Sequence, residues 1–208
     1  MLALSMIAGT SSAVFAAENT TAEMADASDV DGTTISFWHS MGGVNGEALD
    51  TLVKQFNEEN EYGITVDAQY QGEYDDSLNK LKSAQIGNMG ADLVQVYEIG
   101  TRFMIDSGWI VPMQEMIDGD GYDLSQIEPN LAAYYTIDNE LYSMPFNSST
   151  PILYYNKDMF EKAGITEVPD SLEGIGEIGQ QLLDNGGAGE AMSMGIYGWF
   201  FEQLISKQ

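Results

Sequence analysis

Between Thr33 and His39 the chain alternates apolar with polar positions and is rich in β-branched and aromatic side chains, the pattern of a strand with one buried face. After a Met41-Gly42-Gly43 turn, Asn45 is placed to cap a helix in which Ala48, Leu49, Leu52, Val53 and Phe56 recur at helical spacing as far as Asn60. Ile64 to Tyr70 alternates again, with Ile64, Val66 and Ala68 on one face. Asp75 and Asp76 precede Leu78, Leu81 and Ala84, carboxylates standing where the positive end of a helix dipole favours them. The run from Asp92 to Tyr97 is almost continuously apolar and predicts a strand covered on both faces. Strand, helix, strand, helix, strand is an α/β pattern. It predicts a largely parallel sheet whose ligand cleft lies outside the carboxyl ends of the strands. His39-Ser40-Met41, Gly72-Glu73-Tyr74 and Tyr97-Glu98 fall at those ends, so three loops are expected to converge there.

Residues 102–135 are less periodic. Phe103, Met104 and Trp109 are expected to cover the sheet, and Ala132 to Tyr135 to end a helix. Tyr135 to Tyr142 reads as a hairpin turning on Asp138-Asn139. Pro145 and Pro151 then bar helix from the segment between them. Phe146, Asn147, Ser148, Ser149 and Thr150 therefore present an amide, hydroxyls and an aromatic ring on an extended backbone, which suits contact with a ligand better than filling a core. Ile152 to Tyr155 is expected to be a buried strand. Asn156 starts a short helix with Met159, Phe160 and Ala163 inward and Gly164 closing it. Asp170 or Ser171 caps a helix through Leu172, Ile175, Ile178 and Leu182, Gly186 to Gly189 forms a loop, and Met194 to Trp199 is expected to be the next strand.

The segment P-F-N-S-S-T-P-x-L-Y-Y-N-K-D-x-F-x-K-A-G, from Pro145 to Gly164, follows F-W-H-S-M at Phe37, F-N-x-E-N at Phe56 and Q-V-Y-E-I-G-T at Gln95. In this order and combination they resemble the extracellular solute-binding proteins of ABC importers, and within them the branch that takes sn-glycerol 3-phosphate. The resemblance implies an α/β, periplasmic-binding-protein type II-like two-lobe fold. Residues 33–145 would form a nearly complete first lobe, 146–152 the crossover, and 153–208 the start of a truncated second lobe, so that the chain reads as an N-terminal fragment. It further implies capture of sn-glycerol 3-phosphate or a glycerophosphodiester and delivery to the permease subunits of an importer, by a monomeric protein with no catalysis, no cofactor and no metal. Three positions carry over as ligand contacts: Tyr74, Glu98 and Ser149. A carboxylate can accept from two neighbouring hydroxyls of a polyol, and serine and tyrosine hydroxyls can donate to phosphate oxygens. Trp38, His39, Ser148 and Trp199 are further candidates for lining the cleft.

Residues 1–16 have an apolar stretch too short to span a bilayer and end in Val14-Phe15-Ala16, the small-x-small pattern of a signal peptide cleavage site. Residues 17–32 are polar and acidic and read as a flexible linker. The expected location is therefore the periplasm or the cell exterior. With no cysteine, neither a disulfide nor a cysteine-linked lipid can form within these residues. A net charge of −26, from 33 acidic against 7 basic residues, repels nucleic acid and anionic membrane. That charge, and a single arginine, Arg102, keep a neutral sugar or oligosaccharide open as the alternative ligand. A secreted carbohydrate-active enzyme pairing Glu98 with Asp92 or Glu73 is the remote alternative. His39, the one histidine, stands without a nucleophile motif or a second histidine, which favours a structural or cleft-lining role over catalysis or zinc binding.

Overall fold

The computed structural model describes residues 30–87, 89–195 and 198–206, so the expected signal peptide (1–16) and nearly all of the acidic linker (17–32) lie outside the described residues. By its contacts the chain divides into two units, Met1–Phe146 and Asn147–Gln208.

In the first unit, strand β1 (Thr34–His39) lies between β2 (Thr65–Tyr70) and β3 (Leu93–Val94) in a three-stranded sheet of order β2-β1-β3. Both pairings are parallel, with Thr34 opposite Thr65, His39 opposite Tyr70 and Trp38 opposite Val94. Parallel neighbours need crossovers, and helices α1 (Gly43–Glu59) and α2 (Tyr74–Ile86) supply them. The alternation of β1 buries Phe37 and His39 on one face, and Leu49, Leu81, Met104, Ile117 and Leu141 are buried elsewhere in the unit.

The F-N-x-E-N motif at the end of α1 has a structural task. Asn57 exchanges two hydrogen bonds with the backbone of Val66, at 3.0 and 2.7 Å, and Asn60 does the same with Ile64, at 2.9 and 3.0 Å. The two amides stand in for a neighbouring strand and clip the helix to β2.

Three expectations in this unit are corrected. Helix α1 is capped by Gly42, not Asn45, because Gly43 takes φ 55° and Gly46 already donates to the Gly42 carbonyl, which places Asn45 inside the first turn. Of the apolar stripe, Leu49 is buried while Leu52 and Phe56 are exposed. The third strand is shorter than Asp92–Tyr97: only Leu93 and Val94 join the ladder, with one further bond from Gln95 N to Trp38 O at 2.9 Å. Leu93 is half exposed, and β3 is the outer strand on its side among the described residues.

Helices α3 (Thr101–Ser107) and α4 (Met113–Asp120) each end on a left-handed glycine, Gly108 and Gly121. Met104 is buried, and Trp109, partly exposed, meets Phe103 edge-on at 5.4 Å. Helix α5 (Pro129–Tyr134) leads into the expected hairpin, β4 (Thr136–Ile137) and β5 (Glu140–Leu141). Asp138 and Asn139 both have positive φ, 54° and 68°, as the twist of a two-residue hairpin turn demands.

The second unit is helical where described. Asn156 caps α6 (Lys157–Ala163) by accepting from Met159 N at 3.1 Å, and Gly164 closes it at φ 72°. Ser171, rather than Asp170, caps α7 (Leu172–Gln181) by accepting from Gly174 N at 3.1 Å. A π-helical turn, Leu182–Gly186, continues α7 and packs against α6, where Gln181 Nε2 donates to Ala163 O at 2.6 Å.

Two expected strands are not found among the described residues. Ile152 to Tyr155 is irregular and exposed, Tyr154 almost completely. Of Met194 to Trp199, Ile196 and Tyr197 lie outside the described residues, and Gly198 and Trp199 open helix α8 (Gly198–Ser206). A strand is stable only beside another, and among the described residues this unit holds none.

Candidate functional site

The carboxyl ends of the parallel strands are tied together by backbone and side-chain hydrogen bonds. Gln71 N donates to His39 O at 2.8 Å, and Ser40 N donates to the Gln95 side-chain oxygen at 2.9 Å. The loops after β1, β2 and β3 thus meet at one edge of the sheet, as the α/β pattern requires.

Tyr74 is the first residue of α2, reached through Gly72 at φ 97°, a conformation that a side chain would strain. Its ring lies flat on that of Tyr97, with centroids 5.3 Å apart and planes at 6°. The Tyr97 hydroxyl donates to Asp75, the next residue of the α2 first turn. Burial, then the bond to Asp75 and the charges of Asp75 and Glu98, push the Tyr97 phenol up to about 12. Glu98 follows directly and opens a 3-10 turn, Glu98–Gly100, where it is half-buried. Gly100 is buried because the turn sits against α2: a Cβ there would lie 2.6 Å from Val96 Cγ1 and 3.3 Å from Leu78 Cδ2. The Tyr135 phenol is also raised, first by burial and then by the charge of Glu98 and the proximity of Tyr74.

His39 is buried between Phe37 and Tyr70, with ring centroids at 5.6 and 6.0 Å. Its Nδ1 accepts from Met41 N at 3.2 Å. Burial lowers its pKa against the opposing pull of Asp50, which favours the neutral ring with the proton on Nε2. Trp38, half-buried, pairs with Gln69 and Val94 on the central strand. Asp92 stands at the opposite end of β3 from Glu98, and its carboxylate accepts from Ser36 N at 2.9 Å and Ser36 Oγ at 2.6 Å. Those bonds hold its pKa below the usual carboxylate range. The pairing of Glu98 with Asp92 for glycoside chemistry therefore has no geometric basis.

The first unit brings Tyr74 and Glu98 together through Tyr97, with Trp38 and His39 on the strand beside them. Ser148 and Ser149, both exposed, belong to the second unit. So does Trp199, half-buried at the start of α8 and edge-on to Phe200 at 5.4 Å. Sequence reasoning missed Tyr97, Asp75 and Tyr135. The available signal was their place beside the residues it did select, Tyr97 preceding Glu98 and Asp75 following Tyr74. The cluster offers carboxyl acceptors, phenol donors and flat aromatic faces, which fits a hydroxyl-rich ligand. Among the described residues no group of histidine, aspartate and glutamate could hold a metal ion.

The family model of the bacterial extracellular solute-binding protein matches residues 42–207. The chain belongs to that family. An exported protein, as the sequence led one to expect, agrees with membership of the extracellular solute-binding proteins. The sn-glycerol-3-phosphate-binding periplasmic protein UgpB of Salmonella typhimurium is 45% identical over 139 residues, 64% of this chain and 31% of its own length. UgpB of Escherichia coli K12 is 40% identical over 162 residues, 74% of this chain and 36% of its own. The chain thus spans about a third of the length of the curated relatives it matches. Among solved structures, UgpB of Mycobacterium tuberculosis in complex with glycerophosphocholine matches with a TM-score of 0.63 at 27% identity, over 72% of this chain and 38% of that one. The sugar-binding MalE of Xanthomonas citri matches with a TM-score of 0.59 at 24% identity, over 72% and 37%, a likeness of fold alone. The fold is the α/β periplasmic-binding-protein fold that the sequence predicts for an extracellular solute-binding protein.

Proposed function

We propose that this solute-binding protein captures sn-glycerol 3-phosphate or a glycerophosphodiester outside the cytoplasm and delivers it to the permease of an ABC importer. The observation that carries the reading is the clustering of Tyr74 and Glu98 at the carboxyl edge of the sheet, in a chain 40–45% identical to proteins named for binding sn-glycerol 3-phosphate. Glu98 accepts from the glycerol hydroxyls, Tyr74 covers them and donates, and Ser149 donates to the phosphate from the crossover, Phe146 to Ile152. Ser148, Trp38 and Trp199 are the further residues that would line the cleft, while His39, expected from the sequence to join them, is buried between Phe37 and Tyr70 and supports the strand end instead. Binding contributes the free energy that favours closure of the two lobes about the crossover, and the closed form is what the permease receives. The protein binds without chemistry, as a monomer.

One observation favours a second reading, a neutral sugar. Arg102, the single arginine of these 208 residues, is paired with Asp106 on α3 at 2.7 Å, which offsets its charge there.

Calorimetric titration of the protein, expressed from its complete reading frame, decides between these. Saturable one-to-one binding of sn-glycerol 3-phosphate or glycerophosphocholine, with none of maltose, is the expected result. Maltose binding alone moves the ligand to neutral sugars. Turnover of a glycoside that disappears in Glu98→Gln sinks the binding-only reading.

A further inference from the structure

Tyr74 and Glu98 come from separate loops, the first turn of α2 and the 3-10 turn after β3, and something must hold the two in register. A tyrosine on the first residue of a helix has staggered alternatives at its first side-chain torsion, and only packing selects one. The ring of Tyr97 covers one face of Tyr74 in parallel, and the Tyr97 hydroxyl reaches past it to Asp75. Tyr97 therefore grips the first turn of α2 at two points. Its own backbone leads directly into Glu98. We propose that Tyr97, anchored on Asp75, is the positioning residue of the ligand site, holding the Tyr74 ring and the Glu98 turn in the geometry that binds the polyol. This role rests on the glycerol phosphate reading above.

The chemistry of the contact separates positioning from plain packing. A ring that only filled space would serve equally as phenylalanine, whereas a phenol donating to a carboxylate makes a directional, charge-assisted bond. With its pKa pushed up to about 12, Tyr97 stays protonated and keeps donating throughout the neutral range. Asp75, whose Oδ1 accepts from the Tyr97 hydroxyl, serves as the anchor.

The test is calorimetric titration of the complete protein with sn-glycerol 3-phosphate for wild type, Tyr97→Phe, Tyr97→Leu and Asp75→Asn, each with a thermal unfolding midpoint. Tyr97→Phe, which keeps the ring and loses the bond, is expected to bind about threefold to tenfold more weakly with an unfolding midpoint near wild type. Tyr97→Leu loses the stack as well and binds more weakly still. Asp75→Asn, whose amide oxygen still accepts, stays within about threefold of wild type. In a Tyr74→Leu background the effect of Tyr97→Phe on affinity should shrink to the part that acts through the Glu98 turn, a coupling that a general loss of stability would not produce. Wild-type affinity in Tyr97→Phe, or an equal loss with and without Tyr74, overturns the positioning role and leaves the ligand reading intact. A wild type that binds neither sn-glycerol 3-phosphate nor glycerophosphocholine overturns both.

Discussion

His39 is a residue whose chemistry the fold has switched off. Its Nδ1 is occupied by the Met41 amide and burial disfavours the charged ring, so its folded pKa lies below the usual 6.5. The unfolded chain takes up a proton near 6.5 that the folded chain refuses until lower pH. Stability from this residue is therefore complete above 6.5 and falls as pH drops through the window below it. Urea unfolding midpoints taken from about pH 8 to about pH 5 should decline toward acid, and His39→Gln should flatten that decline while lowering the midpoint throughout. An unchanged slope in the variant would show that the ring titrates normally in the folded protein. Glu98→Gln tests the opposite kind of residue, one placed to act. The amide keeps the shape and replaces an acceptor oxygen with a donor, and ligand affinity should fall about tenfold or more with little change in unfolding midpoint. At this scale Glu98 could be singled out by its place after an apolar strand, whereas Tyr74, at the start of a helix, was singled out only by the family resemblance. Tyr97 was harder to read, because its role comes from a stack and a hydrogen bond to a helix 22 residues earlier, and spacing along the chain encodes neither.

Among the elements, what could be read was what is local. The helix over Lys157–Ala163 announces itself by Asn156 in front and Gly164 behind, and the structure uses both residues as caps. The hairpin announces itself by Asp138-Asn139, both of which take positive φ. Asn156→Ala and Ser171→Ala each remove a hydrogen bond to a helix N-terminus, and each should cost about 1 kcal/mol in urea unfolding. The strands over Ile152–Tyr155 and Met194–Trp199 illustrate the limit. Their composition suits a sheet, but a strand is satisfied by its neighbours, and the described residues of the second unit provide none. In the cut-short β3, beyond Val94 only Gln95 N reaches β1, at Trp38 O, and the Ser40 amide is met by the Gln95 side chain instead of a strand carbonyl. Gly100 shows an element placed by a missing side chain. Its turn lies so close to Leu78 and Val96 that a methyl group must displace one of them. Gly100→Ala should therefore cost about 1 to 3 kcal/mol and, by moving the turn that begins at Glu98, weaken ligand binding as well. Wild-type stability and affinity in that variant would mean that the turn can shift without consequence.

The whole molecule leaves much apolar surface in water. Val44 is 80% exposed, Leu52 61%, Ile86 89%, Tyr154 89% and Phe201 65%, in both units and on helices as well as irregular segments. Single exposed apolar residues are ordinary, but Val44, Leu52 and Phe56 lie on one helix, and Ile152 to Tyr155 form an uninterrupted exposed run. Such a run, apolar, aromatic and unpaired, is a template for another extended chain. The net charge of −26 acts the other way, since like-charged chains repel at low salt and approach once the field is screened. The balance predicts a salt-dependent association of the 208-residue chain. Light scattering should show monomers at about 10 mM salt and growing assemblies near physiological ionic strength, where the Debye length has fallen from about 30 Å to about 8 Å. A hydrophobic dye should bind under both conditions, because the surface is present whether or not it is paired. Tyr154→Lys and Leu153→Asp, which place opposite charges in the exposed run without touching a buried side chain, should raise the salt needed for association. A chain that stays monodisperse and dye-silent at high salt would show that these apolar segments find cover in solution, and the same variants would then leave its behaviour unchanged.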